Sequence, residues 1–353
     1  MRNWPTGGIL ACTVLAGIGL AGCSGGASPT AIRGALTAIG SPVQKDPIRA
    51  WSNAWTKDNN ATSLNYSPDG ADVGISALST GQAYFAALDA PLTPDQQDQT
   101  QAACGPSGAF SVPVSVTTLG VAFNMPSIRS LKLTPDVLAG IFTGTVTRWD
   151  AREIATINPG VTLPSGDIIP VTATTPSAET TAATTYLSTA ADWTAGVVDA
   201  WPTPENGQAV KKQTDVAEEL DQTAGAIAFM DLGSIGTRFD TALLPFGGGF
   251  VRISKDSSAL GAQQGSTRTT PTGVEFTLPE TSEQGYPLGV VNYQAFCRSY
   301  KNPQLAGLVK SWGKFVLSSD GQVASTYFAN VASPGEDAIR EARTLIQTIG
   351  AAQ

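Results

Sequence analysis

The chain has 353 residues, 42% hydrophobic and only 14% charged, against about 25% charged in an average globular chain. It contains no histidine, which excludes Ser-His-Asp and Cys-His nucleophile systems, His-ligated zinc and imidazole proton shuttles. Lys and Arg number 21 against 29 Asp and Glu, a formal charge of −8 without basic clusters, and such a balance argues against a nucleic-acid partner.

The first residues read as an address. Arg2 opens a short basic region and an apolar stretch runs from Gly7 to Leu20, the length of a signal-peptide core and short of the ~18 residues a spanning helix needs. It ends in Leu20-Ala21-Gly22-Cys23, which resembles a bacterial lipobox, with an ordinary secretory signal as the alternative. On that reading residues 1–22 are removed, Cys23 takes the lipid, and residues 23–34, including Ser24-Gly25-Gly26-Ala27-Ser28-Pro29, form a flexible tether. The protein is then extracytoplasmic and meets the membrane only through its lipid. Cys12 belongs to the signal, so Cys104 and Cys297 are the cysteines left over. In an exported chain these most simply form one disulfide, since a reactive thiol lacks a histidine to activate it.

Helices and strands alternate along the remainder, an α/β pattern. Asp46-Pro47 reads as a helix start, with Ile48, Trp51 and Trp55 on one face. Phe110, Val112, Val114 and Val116 alternate with polar residues and Pro113, a strand that the proline places at an edge or a crossover. Thr134-Pro135-Asp136 caps a helix through Leu138, Ile141 and Phe142 that Gly144 stops. Residues 247–283, rich in Gly, Ser, Thr and Gln, read as surface loops. Leu305, Leu308, Val309, Trp312 and Val316 make an amphipathic helix, and Ser333-Pro334-Gly335-Glu336 reads as a capping-box start for the last one.

Motifs of familiar chemistry are missing. Gly247-Gly248-Gly249 has neither dinucleotide nor P-loop spacing. Asp215, Glu218, Glu219 and Asp231 read as solvated charges. No cofactor or metal is expected, and composition and pattern alone stop at an exported α/β lipoprotein that binds rather than catalyses.

Four segments carry the reading further. Asp89-Ala90-Pro91-Leu92, Leu138-Ala139-Gly140-Ile141-Phe142-Thr143-Gly144 followed by Trp149-Asp150, Asn158-Pro159-Gly160-Val161-Thr162-Leu163-Pro164, and Gly225-Ala226-Ile227-Ala228-Phe229 stand in this order. They resemble the signature segments of the phosphate-binding (PstS) proteins of the Pst ABC importer, over nearly the whole mature chain. The resemblance implies a two-lobed α/β fold of the class II periplasmic-binding type, a mixed sheet in each lobe and a two-strand hinge. Lobe one would comprise residues 35–112 and 285–353, with Cys104 and Cys297 both inside it, and lobe two residues 113–284. It implies a solute receptor, not an enzyme, that hands its ligand to an ABC permease.

That family holds phosphate with backbone amides, hydroxyls, a helix N-terminus and one Arg, while an Asp accepts the proton of hydrogen-phosphate. Asp89 matches that Asp. The donor loops match poorly. Gly-Ala-Thr-Phe is here Gly40-Ser41-Pro42-Val43, Gly-Ser-Ser-Gly is Gly70-Ala71-Asp72-Val73, and Arg-Ala-Asp-Gly-Ser-Gly-Thr-Ser is Ala173-Thr174-Thr175-Pro176-Ser177-Ala178-Glu179-Thr180. The ligand set implied is Asp89, Ser177, Thr180, Ser41, Gly70, Thr175 and Glu179, with the Arg lost at Ala173 and carboxylates added at Asp72 and Glu179. A lost charge-assisted bond costs about 1.5–3 kcal/mol, so phosphate should bind weakly. Two readings stay open: an importer receptor for phosphate or another small solute, and a descendant kept as a surface scaffold. A hydrolase using Asp89 and Glu179 as a carboxylate pair is a third.

Overall fold

The computed structural model describes residues 32–125, 127–190, 193–202 and 206–351. The signal segment, Cys23 and most of the tether lie outside the described residues. Strand Gly34–Gly40 pairs in parallel with Thr62–Ser67 on one side and Phe85–Leu88 on the other. Strand Gly289–Cys297 runs antiparallel between Phe85–Leu88 and the long strand Ala109–Phe123. Past Phe123 the same path continues through Ala226–Asp231, antiparallel to the long strand, and then Ile169–Ala173 and Gln208–Val210 in parallel.

Ala109–Phe123 ties this path together because every one of its residues is buried. Its first half packs in a core with Trp51, Trp55, Phe85, Phe296 and Trp312. Its last residues, Leu119 to Phe123, belong to a second core with Leu138, Phe142, Trp149 and Phe229. The chain crosses back just before Gly289, where the Leu119 amide donates to the Leu288 carbonyl at 2.9 Å. Two cores joined by two crossing strands make the mixed α/β, two-lobed architecture that the sequence implies. Pro113 sits in this central strand and not at an edge. It faces Tyr293 where the pairing register slips between Asn292 and Tyr293, so the missing N–H falls at an irregularity of the ladder.

The segment read as loops is ordered structure. It contains helix Lys255–Gln263, capped by Ser254, and the hairpin Ser266–Thr270/Gly273–Thr277. Gly273 pairs with Ser111 of the long strand, and Val274 lies in the core of Trp51 and Trp312. The hairpin therefore packs with the first lobe, whereas the sequence division puts it in the second, and Tyr286 and Leu288 join the second core. Two helix starts also differ. Ser41 caps a 3-10 turn, Pro42–Gln44, that runs into helix Lys45–Asp58, so Asp46 is inside the first turn. The last helix, Glu336–Gln347, has Gly335 as N-cap without a side-chain cap, since the Ser333 hydroxyl donates to the Pro334 carbonyl instead. Helices Pro135–Thr143, closed by Gly144 in the left-handed conformation, and Pro303–Val316 stand as the sequence predicts.

Cys104 and Cys297 are joined by a disulfide with Cα atoms 4.7 Å apart and a sequence separation of 193. Both lie in the first core. Among the described residues no helix is long and apolar enough to cross a membrane.

Candidate functional site

In open α/β sheets ligands gather beyond the carboxyl ends of parallel strands, and each lobe has such ends. Three such ends lie side by side in lobe one. Gly34–Gly40 leads into Ser41, Thr62–Ser67 carries Tyr66 near its end, and the fully buried Phe85–Leu88 leads into Asp89. Glycine lets the helix Ala71–Ser79 close over them: a Cβ on Gly74 would stand 2.5 Å from the Ile39 carbonyl oxygen. Gly70, at φ 112°, opens that helix, donates its amide to the Gly40 carbonyl and offers no side-chain cap. In lobe two the parallel strands Ile169–Ala173 and Ala226–Asp231 end at the loop Thr174–Ser177 and at Asp231.

Asp89 is the acid of lobe one. Burial pushes its carboxyl up to about 6, against the opposing pull of the Ser41 hydroxyl. One oxygen, Oδ1, is buried without a hydrogen-bond partner. Ser41 is itself fully buried; its Oγ accepts the Val43 amide at 3.1 Å and its carbonyl accepts the Tyr66 hydroxyl. Tyr66 is held neutral by burial, by the Asp89 charge and by Asp69.

The acid of lobe two is Glu179, in the first turn of helix Ala178–Leu187. Burial raises its carboxyl to about 7; its own backbone N–H pulls the other way, the charges of Asp89 and Asp231 push it up further, and the Ser177 hydroxyl opposes them. The Asp89 charge reaches Glu179 from the opposite lobe. Ser177 caps the helix, its Oγ accepting the Thr180 amide and donating to Thr180 Oγ1, both at 3.0 Å. The Ser177 hydroxyl is thus committed to Thr180 as donor and as acceptor. Among the described residues no Lys or Arg forms an ion pair with Asp89, Glu179 or Asp231.

The structure thus brings Ser41, Gly70 and Asp89 to one lobe's strand ends and Ser177, Glu179 and Thr180 to the other's. Thr175 differs: it is exposed, with its amide donating to the Lys211 carbonyl. Ala173, at the family's Arg position, is completely buried and offers no cation. Asp72 stands exposed in the first turn of the helix after Gly70. Asp231 corrects the reading of a solvated charge. Half-buried, it caps Leu232–Ile235 by accepting the Ser234 amide at 2.9 Å, and its charge reaches Glu179. Its place at the end of a parallel strand was the available signal. Tyr66 carried no such mark.

Residues 25–320 match the family model described as the PBP superfamily domain. This chain belongs to the PBP superfamily, in its PstS family. Among PstS proteins, it is 26% identical to the phosphate-binding protein PstS 3 of Mycobacterium tuberculosis over 288 residues, covering 78% of this chain and 77% of that relative. Solved structures share the fold at lower identity. The phosphate-binding protein of Stenotrophomonas maltophilia gives a TM-score of 0.63 at 17% identity, covering 88% of this chain and 93% of that one. The phosphate-bound high-affinity periplasmic protein PfluDING gives 0.67 at 15% identity over the same shares.

Proposed function

We propose that this PstS-family chain is an extracytoplasmic lipoprotein receptor that captures a small solute between its lobes and delivers it to an ABC permease. The observation that carries the reading is the gathering of Ser41 and Asp89 at the parallel strand ends of one lobe and of Ser177 and Glu179 after a parallel strand end of the other. A ligand bridging them would hold the lobes closed, and closure is what a permease would recognise. The relatives are named for phosphate, and Asp89 keeps the acceptor that hydrogen-phosphate needs, so phosphate is the reference solute. Catalysis is not part of the proposal: both carboxylates are half-buried with raised proton affinity, and the family is one of receptors.

A second reading, a scaffold with its pocket abandoned, is favoured by the commitment of Ser177 and Thr180 to each other and by Ala173 at the family's Arg position. Small-angle scattering of the mature protein during a screen of phosphate, polyols, amines and amino acids separates the two. The receptor reading expects one solute to shrink the radius of gyration. A radius unchanged by every solute supports the scaffold.

A further inference from the structure

Gln44 is fully buried, although glutamine ordinarily stays at the surface. It ends the 3-10 turn Pro42–Gln44 that Ser41 caps, and its backbone amide donates to the Ser41 carbonyl at 3.2 Å. Although it stands at the N-cap of helix Lys45–Asp58, its side chain caps nothing. The side chain crosses to the sheet instead. Its Nε2 donates to the Leu88 carbonyl and to the Tyr293 carbonyl, both at 2.8 Å. A side-chain amide has two such protons, and both are spent here. Leu88 and Tyr293 are paired residues of two antiparallel strands, and Leu88 is the last residue before Asp89. Ser41 reaches the same strand end one residue earlier, its amide donating to the Ala87 carbonyl at 2.9 Å. The turn therefore grips Ala87 and Leu88 in succession, immediately ahead of Asp89.

The far end of this clamp is itself fixed. The Tyr293 hydroxyl accepts the Phe276 amide and donates to the Phe276 carbonyl, both at 2.9 Å. Tyr293 also stands where the register of strand Gly289–Cys297 against Ala109–Phe123 slips. Without Gln44 two buried carbonyls would lose a donor, and the chain entering Asp89 would lose a hold. Methionine would fill much the same space but has no proton to give. Gln322 is the same device elsewhere. It too is buried, and its Nε2 donates to the Val114 and Val316 carbonyls at 3.0 and 2.8 Å, neither of which adjoins a site residue. In both glutamines Oε1 is buried without a partner, so what separates them is which carbonyls they hold. We propose that Gln44 is the positioning residue for Asp89, tying the Leu88 carbonyl to that of Tyr293 so that the strand end holds the carboxyl in place. This rests on the receptor reading above and names the residue that seats its lobe-one acid.

Carbon-13 NMR titration of the side-chain carboxyls in the solute-free mature protein tests it, with the Asp89 signal assigned by its loss in Asp89→Asn. Burial places the Asp89 midpoint at about 6. Tyr66 and Glu179 are the titratable groups that feel its charge, and neither is altered. Gln44→Met and Gln322→Met each remove two donated bonds at a buried position. Both should lower the melting temperature. Only Gln44→Met should move the Asp89 midpoint, by at least about half a pH unit toward the ordinary carboxylate range, as water gains access to the loosened strand end. Gln44→Asn keeps the amide but withdraws it by one carbon, and it gives the same reading if the methionine variant does not fold. An Asp89 midpoint that stays or rises in the Gln44 variant, or that moves equally in Gln322→Met, would overturn the proposal. The scattering screen is read separately: no contraction with any solute removes the receptor reading, and the Asp89 titration still decides what Gln44 does.

Discussion

Asp89 follows a strand end of one lobe and Glu179 opens a helix of the other, and the charge of the first raises the proton affinity of the second. Neither has a basic partner among the described residues. The arrangement has consequences for stability as well as for binding.

Burial lifts Asp89 to about 6 from an ordinary 3.8 and Glu179 to about 7 from 4.5. Each acid therefore holds its proton more tightly folded than unfolded. The stability this confers is present at acidic pH and is lost as pH rises through about 6 and 7. Urea unfolding of the solute-free protein should show a lower midpoint at pH 8 than at pH 5. Glu179→Gln should raise the pH 8 stability by about 1–3 kcal/mol and flatten this dependence. A wild-type midpoint that rises between pH 5 and 8 would contradict the burial of these two groups.

The disulfide should matter for stability and little for solute response, because both cysteines lie in the first core and neither faces the crevice. Closing a loop with a sequence separation of 193 is worth roughly 5 kcal/mol in the chain-entropy model. Replacing both cysteines by serine should lower the melting temperature clearly. The solute-induced change in scattering should survive below that temperature.

Gly74 tests how tightly the first lobe's strand ends are built. A Cβ there would stand 2.5 Å from the Ile39 carbonyl oxygen, so Gly74→Ala must push helix Ala71–Ser79 off the strand. We expect about 1–3 kcal/mol of destabilisation by overpacking and a weakened solute response through displaced Gly70 and Ser41. Gly160, whose added Cβ would meet nothing within 4 Å, sits at a positive φ of 84°. Gly160→Asn tolerates that conformation and should change neither property.

Anchoring is tested on the sequence alone, since Cys23 lies outside the described residues. Cys23→Ser should yield unprocessed or released protein in cell fractionation. A variant held in the membrane fraction as firmly as wild type would refute the lipobox.

Sequence reading went furthest where side-chain chemistry and spacing agree. The Trp51/Trp55 face, the Pro135 helix start with Gly144 at its end, and the four family segments all announce themselves locally. The segment 247–283 did not, because its helix is polar and its hairpin Ser266–Thr277 is a Thr-rich ribbon whose few buried residues, such as Val274 and Phe276, are hidden by tertiary packing. The register slip that admits Pro113 depends on Gly289–Cys297, far away in sequence. At the site, Asp89 and Glu179 were legible from the family loops. That the Ser177 hydroxyl is spent on Thr180, and that the charge of Asp231 reaches Glu179, depends on geometry no spacing encodes.

The most direct measurement is the phosphate affinity of the unmodified mature protein at pH 8, beside the variant Ala173→Arg with Glu179→Thr. Two half-buried acids without a cation predict phosphate binding at least a hundredfold weaker than in a relative with the intact Arg and Ser/Thr loops, a gap of about 2.7 kcal/mol. The double variant should recover part of it by restoring a cation and freeing the helix amides. Tight phosphate binding by the unmodified protein, unimproved in the variant, would contradict the account and make this chain an ordinary phosphate receptor.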